Sequence, residues 1–358
     1  MLPRTGESIE AGLAQGLHIG AQLYVSSREE VIANSTWGLA RQNVGMTPQT
    51  LMLWQSAGKP LAAIAIGQLW EQGKLELDDP VARHIPEFSA AGKDRITIRH
   101  LLTHTAGLRP AATSWSSQPC DQILARIYKS PVEPNWIVGQ TAGYHIASTW
   151  FVLAEIIQRL TGESFDQYVR KHIFLPAGMH DSWFAMDAQT YAGYGELMGV
   201  LYSTEKQPGT PQPFDTIDNA ATCRPGASLR CPARDLGRFY EMLLARGLGI
   251  LRPQTVEALT ARHRTGLFDQ TFRHTMDWGL GFIVNSSLYG ADSVPYSFGR
   301  HASQRTFGHG GAQSSVGFAD PEHGLAVALL FNGMPGEARH HVRVREVLSS
   351  LYEDLGLT

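Results

Sequence analysis

Residues 52–75 read MLWQSAGKPLAAIAIGQLWEQGKL. A serine and a lysine, Ser56 and Lys59, stand at the head of a segment that is otherwise almost wholly apolar. Burying a lysine is unfavourable unless something uses it. The run from Pro60 predicts a helix that Gly73 stops, and Pro60 suits a first turn whose N–H groups are unbonded anyway. Helical spacing puts Ser56 and Lys59 on one face, one turn apart. A helix start offers free N–H groups and partial positive charge to a developing oxyanion. Apolar surroundings depress a lysine pKa, and the neutral amine is the base that a nucleophilic serine needs. The plainer alternative is an N-cap serine beside a solvated lysine. Ser203 and Lys206 repeat the Ser-x-x-Lys spacing, but they lead into QPGTPQP, which cannot be a helix.

Working outward, the chain of 358 residues is long enough for one large domain or two. Lys plus Arg is 30 against 33 Asp plus Glu, so no basic excess points to nucleic acid or an anionic membrane. Cys120, Cys223 and Cys231 are odd in number and form no CxxC pair, which argues against a disulfide framework or a structural zinc and fits a reducing compartment. No signal peptide or membrane span is read, so a cytoplasmic location is expected. Asn34-Ser-Thr and Asn285-Ser-Ser match a glycosylation pattern that, without a secretory signal, reads as chance.

Both chain ends read as strands. AQLYVSS (21–27) and EVIANSTWGLA (30–40) alternate around a Ser-Arg-Glu-Glu turn, and WGLGFIV (278–284), SSVGFAD (314–320) and GLAVALLFNG (324–333) are short and β-rich. DPEHG (320–324) is a hairpin connection, and the tail 340–357 has helical spacing. The middle reads as helices over 123–128, 147–162, 164–174 and 232–247, with Gly162 and Gly247 as stops and Ser164 as an N-cap. Residues 190–219, rich in Gly, Pro, Thr and Gln, read as a long surface loop. The expected fold is α+β: an antiparallel sheet built from both chain ends and flanked by helices (an α/β sandwich), with an inserted, mainly helical subdomain. The chain is expected to be a single domain, 1–358, with a sheet lobe of about 1–80 and 250–358 and a helical lobe of about 81–249. A pocket between lobes is the expected place for a site.

Two further stretches carry chemistry. In GQTAGYHIASTWFVLAEIIQRLTG (139–162), Tyr144 precedes an apolar helix, and a tyrosine near a lysine can be partly phenolate and relay protons. In FGHGGAQSSVGFADPEHG (307–324), Gly310 and Gly311 lack Cβ and let another backbone come close, which leaves the Ala312 N–H free to serve as a second oxyanion donor. The bland readings are a core tyrosine and a Gly-rich bend with a surface histidine. His100 and His104 stand at metal-binding helical spacing, but Leu101 occupies the place of the glutamate a zinc hydrolase would want, so capping and packing are expected and no metal.

Together these elements resemble the serine β-lactamase and penicillin-binding-protein superfamily, in particular its class C-like esterase branch, the family VIII carboxylesterases. The stretches 71–88, 96–108, 224–244 and 307–333 add to the resemblance, in order, from about Gly20 to Asn332. It implies Ser56 as the acyl-accepting nucleophile, Lys59 as its helper base and Tyr144 as second base or proton relay. His309, Gly310 and Gly311 occupy the Lys-Thr-Gly element facing the pocket, with His145 as a further pocket candidate. Two departures bear on substrate. Ile146 stands where β-lactamases and peptidases have an asparagine that holds the substrate amide, and His309 where they have a lysine that attracts a carboxylate. The resemblance thus implies a serine hydrolase or acyltransferase acting on a small-molecule ester or amide, without a cofactor. The alternatives are a β-lactamase or D-Ala-D-Ala peptidase, or a non-catalytic binding or assembly protein.

Overall fold

The computed structural model describes residues 2–111 and 118–358. Its main sheet has eight antiparallel strands: β1 (Gly20–Ser27), β2 (Glu30–Arg41), β3 (Val44–Gly45), β4 (Asp277–Trp278), β5 (Ile283–Val284), β6 (Phe307–Gly311), β7 (Ser315–Asp320) and β8 (Leu325–Phe331). Their spatial order is β4-β5-β6-β7-β8-β1-β2-β3, so the join between chain ends is β8 against β1, in register from Ala21 opposite Phe331 to Ser27 opposite Leu325. The sheet is built from both chain ends, as its period-2 patterning predicts. The β1–β2 turn places Arg28 and Glu29 both at positive φ, the backbone that matches the strand twist in a two-residue hairpin.

Six helices matter for the site: α1 (Pro3–Ala14), α2 (Pro60–Glu71), α3 (Cys120–Lys129), α4 (Ser148–Thr161), α5 (Ala233–Leu244) and α6 (Glu337–Asp354). Ile9 of α1 and Val344, Val347, Leu348 and Leu351 of α6 cover one sheet face, meeting Ala21, Leu23, Val25, Val327 and Leu329. The opposite face, with Tyr24, Ala326, Ala328 and Leu330, packs on Leu236, Phe239 and Tyr240 of α5. Burial on both faces explains why β8 reads as a continuous apolar run. The helix stops hold: Gly73, Gly162 and Gly247 all take positive φ.

Four expectations need correcting. WGLGFIV is not one strand: a tight turn, in which the Gly279 N–H donates to the Phe282 carbonyl at 2.9 Å, divides it into β4 and β5. Residues 190–219 are not a bare loop. They hold the end of a helix (Ala188–Tyr194), two paired strands (Tyr202–Ser203 and Thr210–Pro211) and a short helix (Ile217–Ala221). α5 falls within the segment expected to be the helical lobe, yet its apolar face lies on the sheet. Ser164 stands at an N-cap position, but its hydroxyl donates to Asp166 rather than accepting from the helix backbone. Asn285 is buried, its amide donating to the Ala302 and Ser303 carbonyls, so its matching pattern is structural.

Candidate active site

The turn that carries Ser56 is held from three sides. Met52–Leu53 pairs with Arg230–Cys231, and the Trp54 indole donates to the Cys231 carbonyl at 2.8 Å. The Trp54 carbonyl accepts from the Ser315 hydroxyl of β7 at 3.0 Å. Strand β6 lies flush against this turn. A Cβ on Gly311 would sit 2.2 Å from the Trp54 carbonyl oxygen, and one on Gly310 would sit 2.2 Å from the Tyr296 ring, so both positions exclude any side chain. This is the close backbone approach that the glycine pair predicts.

Ser56 and Lys59 do not open an α-helix. Ser56 lies in a 3-10 turn, Gln55–Gly58, Lys59 is the residue that caps it, and α2 begins only at Pro60. A 3-10 turn has three residues per turn, which eclipses positions i and i+3 and sets the lysine directly under the serine. Lys59 Nζ lies 2.7 Å from Ser56 Oγ and donates to the Gly226 carbonyl at 2.6 Å. The lysine is fully buried, and among the described residues no carboxylate pairs with it. Burial therefore holds its pKa well below the ordinary lysine value and favours the neutral amine.

Tyr144 comes from the loop ahead of α4. The buried carboxylate of Asp269 fixes that loop: Oδ1 accepts from the backbone N–H groups of Tyr144, Thr271 and Phe272 at 2.9–3.0 Å. Oδ2 accepts from Arg264 at 2.9 Å, and the Thr271 hydroxyl donates to the Tyr144 carbonyl. The ring lies under Lys59, with Nζ 5.4 Å from its centroid. The Tyr144 hydroxyl is buried and makes no hydrogen bond of ordinary geometry among the described residues. Burial pushes its pKa up, and proximity to Ser56 pulls it only partly back. Burial thus favours the neutral phenol of Tyr144, beside a lysine biased toward the amine.

His309 of β6 is buried, and its Nδ1 donates to the Gly310 carbonyl at 2.7 Å, which leaves Nε2 as an acceptor without a partner among the described residues. Its pKa is lowered to about 3, mainly by burial and then by Lys59, so the ring is neutral at physiological pH. His145 is not in the pocket. Its Nε2 accepts from the Leu108 N–H at 2.8 Å and its Nδ1 faces His104 Nδ1 at 3.3 Å, so it braces the helical layer. Its exclusion follows from local geometry: the side chain points into the core while its neighbour Ile146 is turned outward, 53% exposed. His100 belongs to a capping box with Thr97, and His104 is buried against Tyr144 and Trp278.

A cavity of about 340 Å³ opens on this arrangement. Ser56, Tyr144, Ile146, His309, Gly310 and Ala312 line it. Lys59 sits behind Ser56, and Gly311 acts as the spacer against Trp54. Phe272, Tyr296, Glu337 and His341 also line the cavity, and sequence reasoning missed all four. They come from three separate places (the loop after Asp269, the loop before β6, and the first turns of α6), and no linear motif links them. A larger hollow of about 600 Å³, beyond the β1–β2 turn, shares none of the candidate residues.

Comparison with known proteins identifies the family. The Beta-lactamase family model matches residues 7–351. The chain belongs to the beta-lactamase family. At that level it is a serine hydrolase. EstB of Burkholderia gladioli, an esterase, is 27% identical over 89% of this chain and 88% of its own length. PbpX of Bacillus subtilis (strain 168), named for penicillin binding, is 34% identical, but the match spans 47% of this chain and only 43% of PbpX. A crystal structure of a family VIII carboxylesterase superposes with a TM-score of 0.78 at 23% identity, covering 99% of this chain and 97% of that one, which shows the shared fold. No helix among the described residues is long and apolar enough to cross a membrane.

Proposed function

We propose that this beta-lactamase-family protein is a serine esterase or acyltransferase that forms an acyl-enzyme on Ser56, with Lys59 as the base and Tyr144 as the proton relay. The observation that carries the reading is the 2.7 Å contact between Ser56 Oγ and the buried Lys59 Nζ, with which no carboxylate among the described residues pairs. In the first step the Ser56 hydroxyl gives its proton to the Lys59 amine as Oγ attacks the acyl carbonyl. The carbonyl electron pair moves onto oxygen, which the N–H groups of Ser56 and Ala312 stabilise. Collapse of the tetrahedral adduct breaks the bond to the leaving group. Tyr144 gives that group its proton and is reprotonated from Lys59. Water or a second alcohol then attacks the acyl-enzyme by the reverse sequence, and Ser56 recovers its proton.

Substrate preference follows from the lining. A penicillin brings a carboxylate, and among the described residues no lysine or arginine side chain lines the cavity to meet it. His309, at the position where a lysine would serve, is neutral, and Ile146 offers no hydrogen bond to a substrate amide, a loss of about 1 kcal/mol for a buried bond. Short-chain neutral esters need neither group. The test is kcat/KM for a series of p-nitrophenyl esters against nitrocefin. The expected result is efficient turnover of the short esters and poor turnover of nitrocefin. A preference for nitrocefin over every ester would replace this reading with a β-lactamase.

A further inference from the structure

Among the described residues that line the cavity, Glu337 is the one carboxylate and none is a lysine or an arginine. Glu337, in the first turn of α6, lines the same cavity as Ser56, and its side chain is 50% exposed. Its carboxylate accepts from the Tyr296 hydroxyl at 2.9 Å, and His341 Nε2 stands 3.2 Å away without a well-formed hydrogen bond. A carboxylate has about four acceptor sites, so capacity remains. Around it the wall is aromatic. Phe272 stacks on Tyr144 at 4.9 Å and meets Tyr296 edge-on at 5.7 Å, and Tyr296 meets His341 at 4.8 Å. His309 adds an acceptor, its free Nε2, and no charge.

A carboxylate set among aromatic faces, in a small cavity that no lysine or arginine lines among the described residues, is the chemistry that holds an organic cation. The aromatic wall runs from Tyr144, the relay assigned to the leaving group, to Tyr296 and Glu337. We propose that Glu337, Tyr296 and Phe272 form a subsite for a positively charged nitrogen carried on the leaving group or acceptor of the substrate. This rests on the esterase reading above and adds the class of alcohol or amine to it.

The test compares 2-(trimethylammonio)ethyl acetate with 3,3-dimethylbutyl acetate, two esters that differ in shape only by exchange of a cationic nitrogen for carbon. In the wild type the kcat/KM ratio should favour the cation by roughly tenfold or more, equivalent to about 1.4 kcal/mol. Glu337→Gln should bring that ratio close to one, and Glu337→Lys should invert it. A wild-type ratio at or below one, or a ratio that Glu337→Gln leaves unchanged, would overturn the subsite. Calorimetric titration with phenyltrimethylammonium separates this from the esterase reading. If no ester turns over but Glu337→Gln weakens the cation at least fivefold, the subsite stands and the esterase reading fails. Equal affinity in the two proteins overturns the subsite whether or not esters turn over.

Discussion

Lys59 decides the chemistry at the scale of single residues. A buried lysine without a carboxylate partner is destabilising when charged, so its environment selects the amine, and the amine is what Ser56 requires. Arginine stays protonated at any working pH and cannot take the serine proton. Lys59→Arg should therefore lose nearly as much kcat/KM as Lys59→Ala, several orders of magnitude in each case, with Ser203→Ala as an unaffected control. The pH dependence has a defined sign. Activity requires unprotonated Lys59, so kcat/KM should rise with pH along a limb set by the lowered pKa, well below the ordinary lysine range near ~10.4. Stability moves the same way. Between the folded and unfolded pKa values the unfolded state binds more protons, so the lysine's contribution becomes more favourable as pH rises toward the unfolded value. Lys59→Met should be more thermostable than wild type at pH 7, with the gap narrowing as the buffer approaches pH 10. An acid limb unchanged in a partly active Lys59 variant would assign it to another group.

At the scale of elements, the site depends on one loop held by one buried ion pair. Asp269 gathers three backbone N–H groups and the Arg264 guanidinium, and burial lowers the Arg264 pKa only to about 10, so it stays cationic at neutral pH. Removing the carboxylate would leave a buried charge and three donors unpaired. Asp269→Ala should cost about 3–5 kcal/mol in urea unfolding, and it should release Tyr144 and Phe272 from the pocket wall. A loss below 1 kcal/mol would show that the loop is held by its packing instead. This anchor was not legible in the sequence. Asp269 lies 125 positions from Tyr144 and belongs to no motif, whereas Ser56, Lys59, Tyr144 and the glycine pair each lie at the edge of a strongly patterned segment. His145 was misread for the converse reason: it neighbours Tyr144 in sequence, but the chain turns it inward.

At the scale of the whole molecule, the antiparallel sheet built from both chain ends could be read because short β-rich runs bounded by turn residues mark β1, β2, β7 and β8, although β1 is buried almost throughout and shows no alternation of exposure. The segment 190–219 could not. Its strands are two residues long and exist only through pairing, Tyr202–Ser203 being drawn in parallel beside Gly333–Met334. The join between the chain ends also relies on a residue without a local signal. The buried Asn332 side chain accepts from the Gly20 N–H at 2.8 Å and donates to the Leu39 carbonyl at 2.7 Å. The fold thereby brings the Ser56 turn against β6, Tyr144 against Lys59, and the first turn of α6 to the cavity wall. The central claim is that this convergence makes Ser56 an acyl carrier, and intact mass spectrometry after rapid quench with p-nitrophenyl butyrate tests it most directly. The account predicts a butyryl adduct located on the peptide containing Ser56, absent in Ser56→Ala and retained in Ser203→Ala. Ester turnover with no adduct on Ser56, or an adduct that persists in Ser56→Ala, would contradict it.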